Sequence, residues 1–182
     1  RKVYGVSAAG HIVAAKGYTN DGAEILGPGR RPPRRPDGPP GEEGCLSAIV
    51  HPSEERALVV SGRLGETRVF EIDLESGEST LLFDHPTARA AYVGDELLVC
   101  LADGTLTLSR FRPEDEAPVT LGTAPAPGNT LLTVLHDRRL VITDGSADRK
   151  TLSTRVFAAS GEGLGLVGRL TLNGPQPEKL IF

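Results

Sequence analysis

The sequence predicts an all-β chain assembled from repeated four-stranded units. Three observations carry this. Apolar and polar residues alternate over "TRVFEIDLE" (67–75), placing Phe70, Ile72 and Leu74 on one side and Glu71, Asp73 and Glu75 on the other, which is the period of a half-buried strand. No window of helical length carries apolar residues at i, i+3, i+4 and i+7 with caps at its ends. Three segments, "RALVVSG" (56–62), "DELLVCLADG" (95–104) and "DRRLVITDG" (137–145), align with Ala57, Leu97 and Leu140 in register, at steps of 40 and 43 residues.

Each aligned segment sits inside the same order of elements. A short apolar strand and a turn come first: "LSAIVHPSEE", "ARAAYVGD" and "TLLTVLHD". A polar hairpin and a third strand follow: "TRVFEID", "TLTLSRF" and "STRVFAAS". A fourth strand closes each unit: "STLLFD", "APVTLGT" and "LGLVGRLTL". A weaker unit, "KVYGVSA", "HIVAAKG" and "AEILGPG", precedes them. Four strands every forty-odd residues is the period of a β-propeller blade.

The pattern resembles the TolB-like and WD40-like families of propeller repeats, most closely in "HPSEERALVVSGRLGETRVFEIDLESGESTLL" (51–82). The Trp-Asp end and Gly-His start of WD40 repeats are absent. The resemblance implies an architecture and leaves activity open, because propellers serve enzymes and scaffolds alike. The expected organisation is a partial blade over 1–29, an exposed Pro/Arg/Gly-rich loop over 30–44, three blades over 45–176, and the start of a further blade or a tail over 177–182. A β-sandwich or barrel is the alternative that strand counting leaves open. The chain begins with Arg1, contains no Met, and ends in "PEKLIF", which resembles the first strand of another blade; it reads as part of a larger propeller.

Composition narrows the function classes. The net charge is −4, split as +4 over residues 1–41 and −8 over the remainder. An acidic body lacks the basic face a general nucleic-acid binder uses to displace counterions. Aromatic residues are 4% and Trp is absent, so platforms for stacking bases are scarce. No apolar run is long enough for a transmembrane helix. Arginine outnumbers lysine 16 to 4, a bias of GC-rich bacterial genomes. A cytoplasmic setting is expected, with a periplasmic or secreted one left open.

Candidate chemical motifs read as structure. Gly163, Gly165 and Gly168 in "GEGLGLVG" match the G-x-G-x-x-G spacing of dinucleotide sites, but a Rossmann turn needs a helix after the glycines, and "LTLNGPQP" gives it no room. They are expected at the turn and start of a strand. Ser7 in "GVSAAG" is one residue off the nucleophile-elbow spacing. His11, His51, His85 and His136 fall at strand ends or turns and form no zinc-ligand spacing; His51 and His85 precede prolines, which suggests turn capping. Asp144 and Asp148 lack the calcium-loop pattern and read as a solvated hairpin. Cys100 reads as a buried free thiol, and a Cys45–Cys100 disulfide is left open. No catalytic residue, metal or cofactor is expected.

The segment "GPGRRPPRRPDGPPGEEG" (27–44) stands apart, because proline removes backbone donors and glycine is costly to order. It is expected to be exposed and weakly ordered. Arg30, Arg31, Arg34 and Arg35 flank Pro33 and Pro36 and suit an acidic protein partner or an SH3-like groove. The expected function is a non-catalytic interaction or sensor module, whose partner is another protein or the remaining blades. The alternative is the gating section of a prolyl-oligopeptidase-like serine peptidase, with the catalytic domain outside this chain.

Overall fold

The computed structural model describes residues 2–15, 21–29, 32–63, 65–112, 115–126, 130–135, 137–145 and 150–173. Among them, fifteen strands form four antiparallel sheets. The first sheet holds β1 (Lys2–Val6), β2 (Ile12–Ala15) and β3 (Ala23–Leu26). The second holds β4 (Cys45–Val50), β5 (Arg56–Arg63), β6 (Glu66–Asp73) and β7 (Ser79–Phe83). The third holds β8 (Arg89–Tyr92), β9 (Leu97–Ala102), β10 (Thr105–Arg110) and β11 (Val119–Pro125). The fourth holds β12 (Thr130–Val134), β13 (Arg139–Gly145), β14 (Thr151–Ser160) and β15 (Gly163–Asn173). Strands follow chain order within every sheet. A single helical turn, α1 (Pro39–Glu42), is the helix among the described residues.

Local chemistry sets the hairpins. Between β9 and β10, Asp103 and Gly104 take φ of 46° and 72°, the paired left-handed conformation that a tight two-residue hairpin needs and that Asp-Gly favours. Asp73 ends β6 by accepting the N–H groups of Glu75 and Ser76 on Oδ1, at 2.9 and 2.6 Å, as turn-forming Asp does.

Consecutive sheets cover one another. Val13, Ala15, Ala23 and Ile25 of the first sheet pack on Ala57, Val59, Ile72 and Leu74 of the second. The second sheet's other face, with Leu58, Val60, Val69 and Leu82, packs on Tyr92, Leu98 and Cys100 of the third. The third sheet then places Leu97, Val99, Leu101, Leu106 and Leu108 against Leu132, Leu140, Ile142 and Phe157 of the fourth. Phe70, Ile72 and Leu74 are buried and Asp73 is exposed, as the alternation predicts. Glu71 is largely buried where the alternation predicts exposure, because β6 is covered on both faces. Cys45 and Cys100 are free thiols in different clusters, and burial pushes each up to about 11.

Residues 32–44 depart from the expected weakly ordered loop. Arg34 and Ile25 exchange backbone hydrogen bonds of 2.8 and 3.0 Å. The Arg34 guanidinium donates to the Leu74 carbonyl. Asp37 N–H donates to Gly77 O at 2.9 Å, and the Ser79 hydroxyl donates to Asp37 O at 2.7 Å. Pro36, Pro40 and Gly41 are buried. Proline lacks a donor but keeps its carbonyl acceptor, and here the Ser61 hydroxyl reaches Pro39 O at 3.3 Å. The segment thus docks on a sheet formed by other residues and needs no core of its own. Residues 30 and 31, and the 177–182 segment, lie outside the described residues.

Replacing residues 32–44 with an equally long Gly/Ser stretch should lower Tm by more than roughly 5 °C, since about 1 kcal/mol moves Tm by ~2–4 °C in a chain of this size. Differential scanning calorimetry checks this. An unchanged Tm would return the segment to the status of a spacer.

Candidate functional site

The two ends of the sheets carry different chemistry. At one end, the turns between the first and second strands meet from sheet to sheet. In the β1–β2 turn, the Ser7 hydroxyl donates to Glu55 Oε2 at 2.5 Å, Ala9 N–H donates to Oε1 at 2.8 Å, and His11 Nδ1 lies 2.8 Å from Oε2. Glu55 belongs to the β4–β5 turn of the next sheet. Burial works to raise its pKa, but the hydrogen bonds from Ser7, Ala9 and His11 outweigh burial and hold the carboxyl below the usual range.

The β4–β5 turn repeats the gesture toward the third sheet. His51 Nδ1 accepts the N–H groups of Glu54 and Ser53, at 3.0 and 3.3 Å, so Nε2 carries the proton and faces Asp95 O at 3.3 Å. Arg56 Nη2 donates to the same carbonyl at 2.9 Å, and the Ser53 hydroxyl donates to Asp95 Oδ1 at 2.9 Å. Arg56 Nη1 also donates to Glu71 Oε1 at 3.2 Å, and Tyr92 OH donates to that oxygen at 2.9 Å. The His51 ring meets the Tyr92 ring edge-on, with centroids 4.5 Å apart. Further round, Gly94 in the β8–β9 turn faces Arg138 of the β12–β13 turn. Glu55, Asp95 and Arg138 are 40 and 43 residues apart, the same steps that align the repeats.

Ser7, His11 and Glu55 are three residue types used in acyl-transfer relays. A relay requires the histidine to accept the serine proton. Here the serine hydroxyl donates to the carboxylate and its oxygen accepts His11 N–H at 3.0 Å. The carboxylate stands between serine and histidine, and the trio ties two sheets together. The capping role expected for His51 matches its two backbone contacts. His85 Nδ1 lies 3.3 Å from the Thr87 hydroxyl, and His136 lies outside the described residues.

At the opposite end, the β5–β6 hairpin and the β7–β8 connection border a cleft of about 640 Å³. Its charged and polar walls include Glu43, Arg63, Glu66, Arg68, Asp84 and His85. Arg68 Nη2 donates to both Glu43 carboxylate oxygens, at 2.8 and 3.0 Å, and stacks over Phe70 at 5.6 Å. Thr67 holds the connection in place: its hydroxyl donates to Thr87 O and accepts Thr87 N–H, both at 2.7 Å. Sequence reasoning missed this cleft. Its residues come from three separated segments, and only the charge-rich "GRLGETR" hairpin hinted at it.

The remaining candidates fall elsewhere. Gly163, Gly165 and Gly168 lie on β15, after a strand and a turn. The absence of a side chain at Gly163 lets the strand approach Leu121 O of β11, which a Cβ would meet at 3.1 Å. Asp144 departs from the expected solvated hairpin: it is half-buried, accepting from Thr130 Oγ1 and Arg155 Nη2, each at 2.5 Å. Asp148, Arg30 and Arg31 lie outside the described residues. Arg34 is committed internally, and Arg35 is exposed. Among the described residues no three His, Cys, Asp or Glu side chains gather as metal ligands, and no helix is long and apolar enough to cross a membrane.

No protein-family model matches the sequence, and no curated protein matches it. Solved structures do resemble the fold. Hsv2p of Kluyveromyces lactis aligns with a TM-score of 0.56 at 12% identity, over 91% of this chain and 60% of that one. The hydrazine synthase of Kuenenia stuttgartiensis aligns with a TM-score of 0.57 at 12% identity, over 94% of this chain and 61% of that one. The likeness is one of fold. The chain spans about 60% of the length of each.

His51 gives the structure a pH dependence. Burial, then the adjacent Arg56 charge, lowers its pKa below the usual value. The folded state therefore binds fewer protons than the unfolded one, where histidine titrates near ~6.5. This contribution to stability is complete above that pH and is lost as pH falls through the folded-state value. Tm should decline between pH 7 and 5, and His51→Asn, which keeps a side-chain acceptor for the turn, should flatten the decline. An equal slope in both proteins would contradict the assignment.

Proposed function

We propose that this chain is a section of a β-propeller and acts as a binding module for a protein partner, engaged at the Glu43–His85 cleft. The observation that carries the propeller reading is the placement of the first strands. β1 neighbours β4, β4 neighbours β8, and β8 neighbours β12, as expected when successive blades turn their first strands toward a common axis. A groove lined by Ser47, Ile49, Arg89, Leu132 and Val134 runs along three of these strands. The fold likeness to longer solved structures supports the same reading.

Binding at the cleft is supported by its size and mixed charge. Arg63 and Arg68 stand beside Glu43, Glu66 and Asp84, which suits a protein surface carrying both signs better than a polyanion. Of the four arginines expected to dock an acidic partner, Arg34 is occupied by the Leu74 carbonyl, which leaves that role to Arg30, Arg31 and Arg35.

Affinity capture from the source cell, with three forms of the chain, tests the assignment. A partner held by the unmodified chain and by the Arg30→Ser/Arg31→Ser/Arg35→Ser variant should be lost from Arg63→Glu/Asp84→Arg. The expected weakening is tenfold or more, about 1.4 kcal/mol. Equal capture by all three would sink the cleft as the binding surface.

A further inference from the structure

The first strands of three consecutive sheets run side by side, β4 beside β8 and β8 beside β12. Register sets which side chains they turn toward one another. Ser47 and Ile49 pair with Val60 and Leu58, on the side of the second sheet that packs on the third. Arg89 and Ala91 pair with Leu101 and Val99, on the side of the third sheet that packs on the fourth, where Leu132 and Val134 stand. A groove of about 200 Å³ runs between them.

The groove is aliphatic along Ile49, Ala90, Leu132 and Val134, and its polar side chains are those of Arg89 and Ser47. Arg89 is the one charged residue of β4, β8 and β12. Arg34, Arg56, Arg68 and Arg155 each meet a carbonyl or carboxylate of the chain. Among the described residues, the Arg89 guanidinium and the Ser47 hydroxyl meet no such partner, and no carboxylate lines the groove. A guanidinium offers five donors and no acceptor, in a fork that matches a carboxylate through two parallel hydrogen bonds. Donors set in aliphatic walls are therefore complementary to an organic acid with an apolar tail. A cation is opposed by Arg89, and a neutral hydrocarbon leaves its donors unanswered.

We propose that this groove binds an aliphatic monocarboxylate. The carboxylate sits on Arg89, with the Ser47 hydroxyl as a further donor, and the chain lies against Ile49, Leu132 and Val134. The site is distinct from the Glu43–His85 cleft, so a ligand here and a protein partner there are tested apart.

Octanoate, octan-1-ol and octylamine are the probes, each added to the isotope-labelled 182-residue chain below its micelle-forming concentration and followed by amide chemical shifts. Octanoate should shift amides of β4, β8 and β12 saturably. It should bind about tenfold more tightly than octan-1-ol, the lower end of the range for a hydrogen bond to a charged group, and octylamine should bind more weakly than either. Arg89→Gln, at an exposed position, should bring octanoate to the affinity of octan-1-ol with an unchanged circular dichroism spectrum. Arg63→Glu/Asp84→Arg, which alters the cleft alone, should leave octanoate binding as it is. Equal binding of octanoate and octan-1-ol, or octanoate binding indifferent to Arg89→Gln, would reduce the groove to an apolar patch and overturn the proposal. Shifts centred on the exposed Leu170 and Leu172 of β15, loss of octanoate in the cleft variant, or no saturable binding would overturn it as well.

Discussion

Burial of each sheet between its neighbours is the constraint on which the rest of this structure depends. β5 shows it most directly: residues 57–62 are buried in unbroken succession, which a strand with one wet face cannot do. Leu58 and Val60 belong to one interface, Ala57 and Val59 to the other. Each aliphatic side chain so buried contributes about 1.5–3 kcal/mol relative to exposure. A sheet of four short strands has little stability alone, so each depends on the face opposite it.

Aliphatic faces slide over one another easily, and polar contacts fix where they stop. Arg56 and Glu71 are nearly buried, and such a pair costs so much desolvation that its net contribution to stability is small. Removing one partner is another matter, because it strands a charge. The pair with Tyr92 and the Asp95 carbonyl therefore specifies which sheet docks and in what position. Ser7 and His11 do the same for Glu55. That the receiving residues Glu55 and Asp95 stand 40 residues apart shows that the repeat is one of interfaces as much as of strands.

Strands were the readable part of the sequence, because alternation and turn residues are local. β6 and the three aligned second strands all followed from neighbouring residues. Interfaces were not readable. Glu71 looked like a solvent-facing residue of an alternating strand, since nothing local reveals that a second sheet covers it. Glu55 is more than forty residues from Ser7 and His11 and meets them only through sheet stacking. Residues 32–44 were misread because composition reports what a segment can bury by itself, whereas this one borrows partners from Gly77, Ser79 and Leu74. The cleft between Glu43 and His85 was hidden for the same reason: it exists only once three segments are brought together.

A stack whose sheets stabilise one another should open as one unit. Native-state hydrogen exchange, resolved by strand, measures this most directly. The account predicts that amides in β5, β6, β9 and β10 exchange at a common free energy equal to that of global unfolding, with β1 and β15 exchanging earlier. Separate, lower opening energies for the second and third sheets would contradict it, and would mean that each sheet holds itself together without its neighbours.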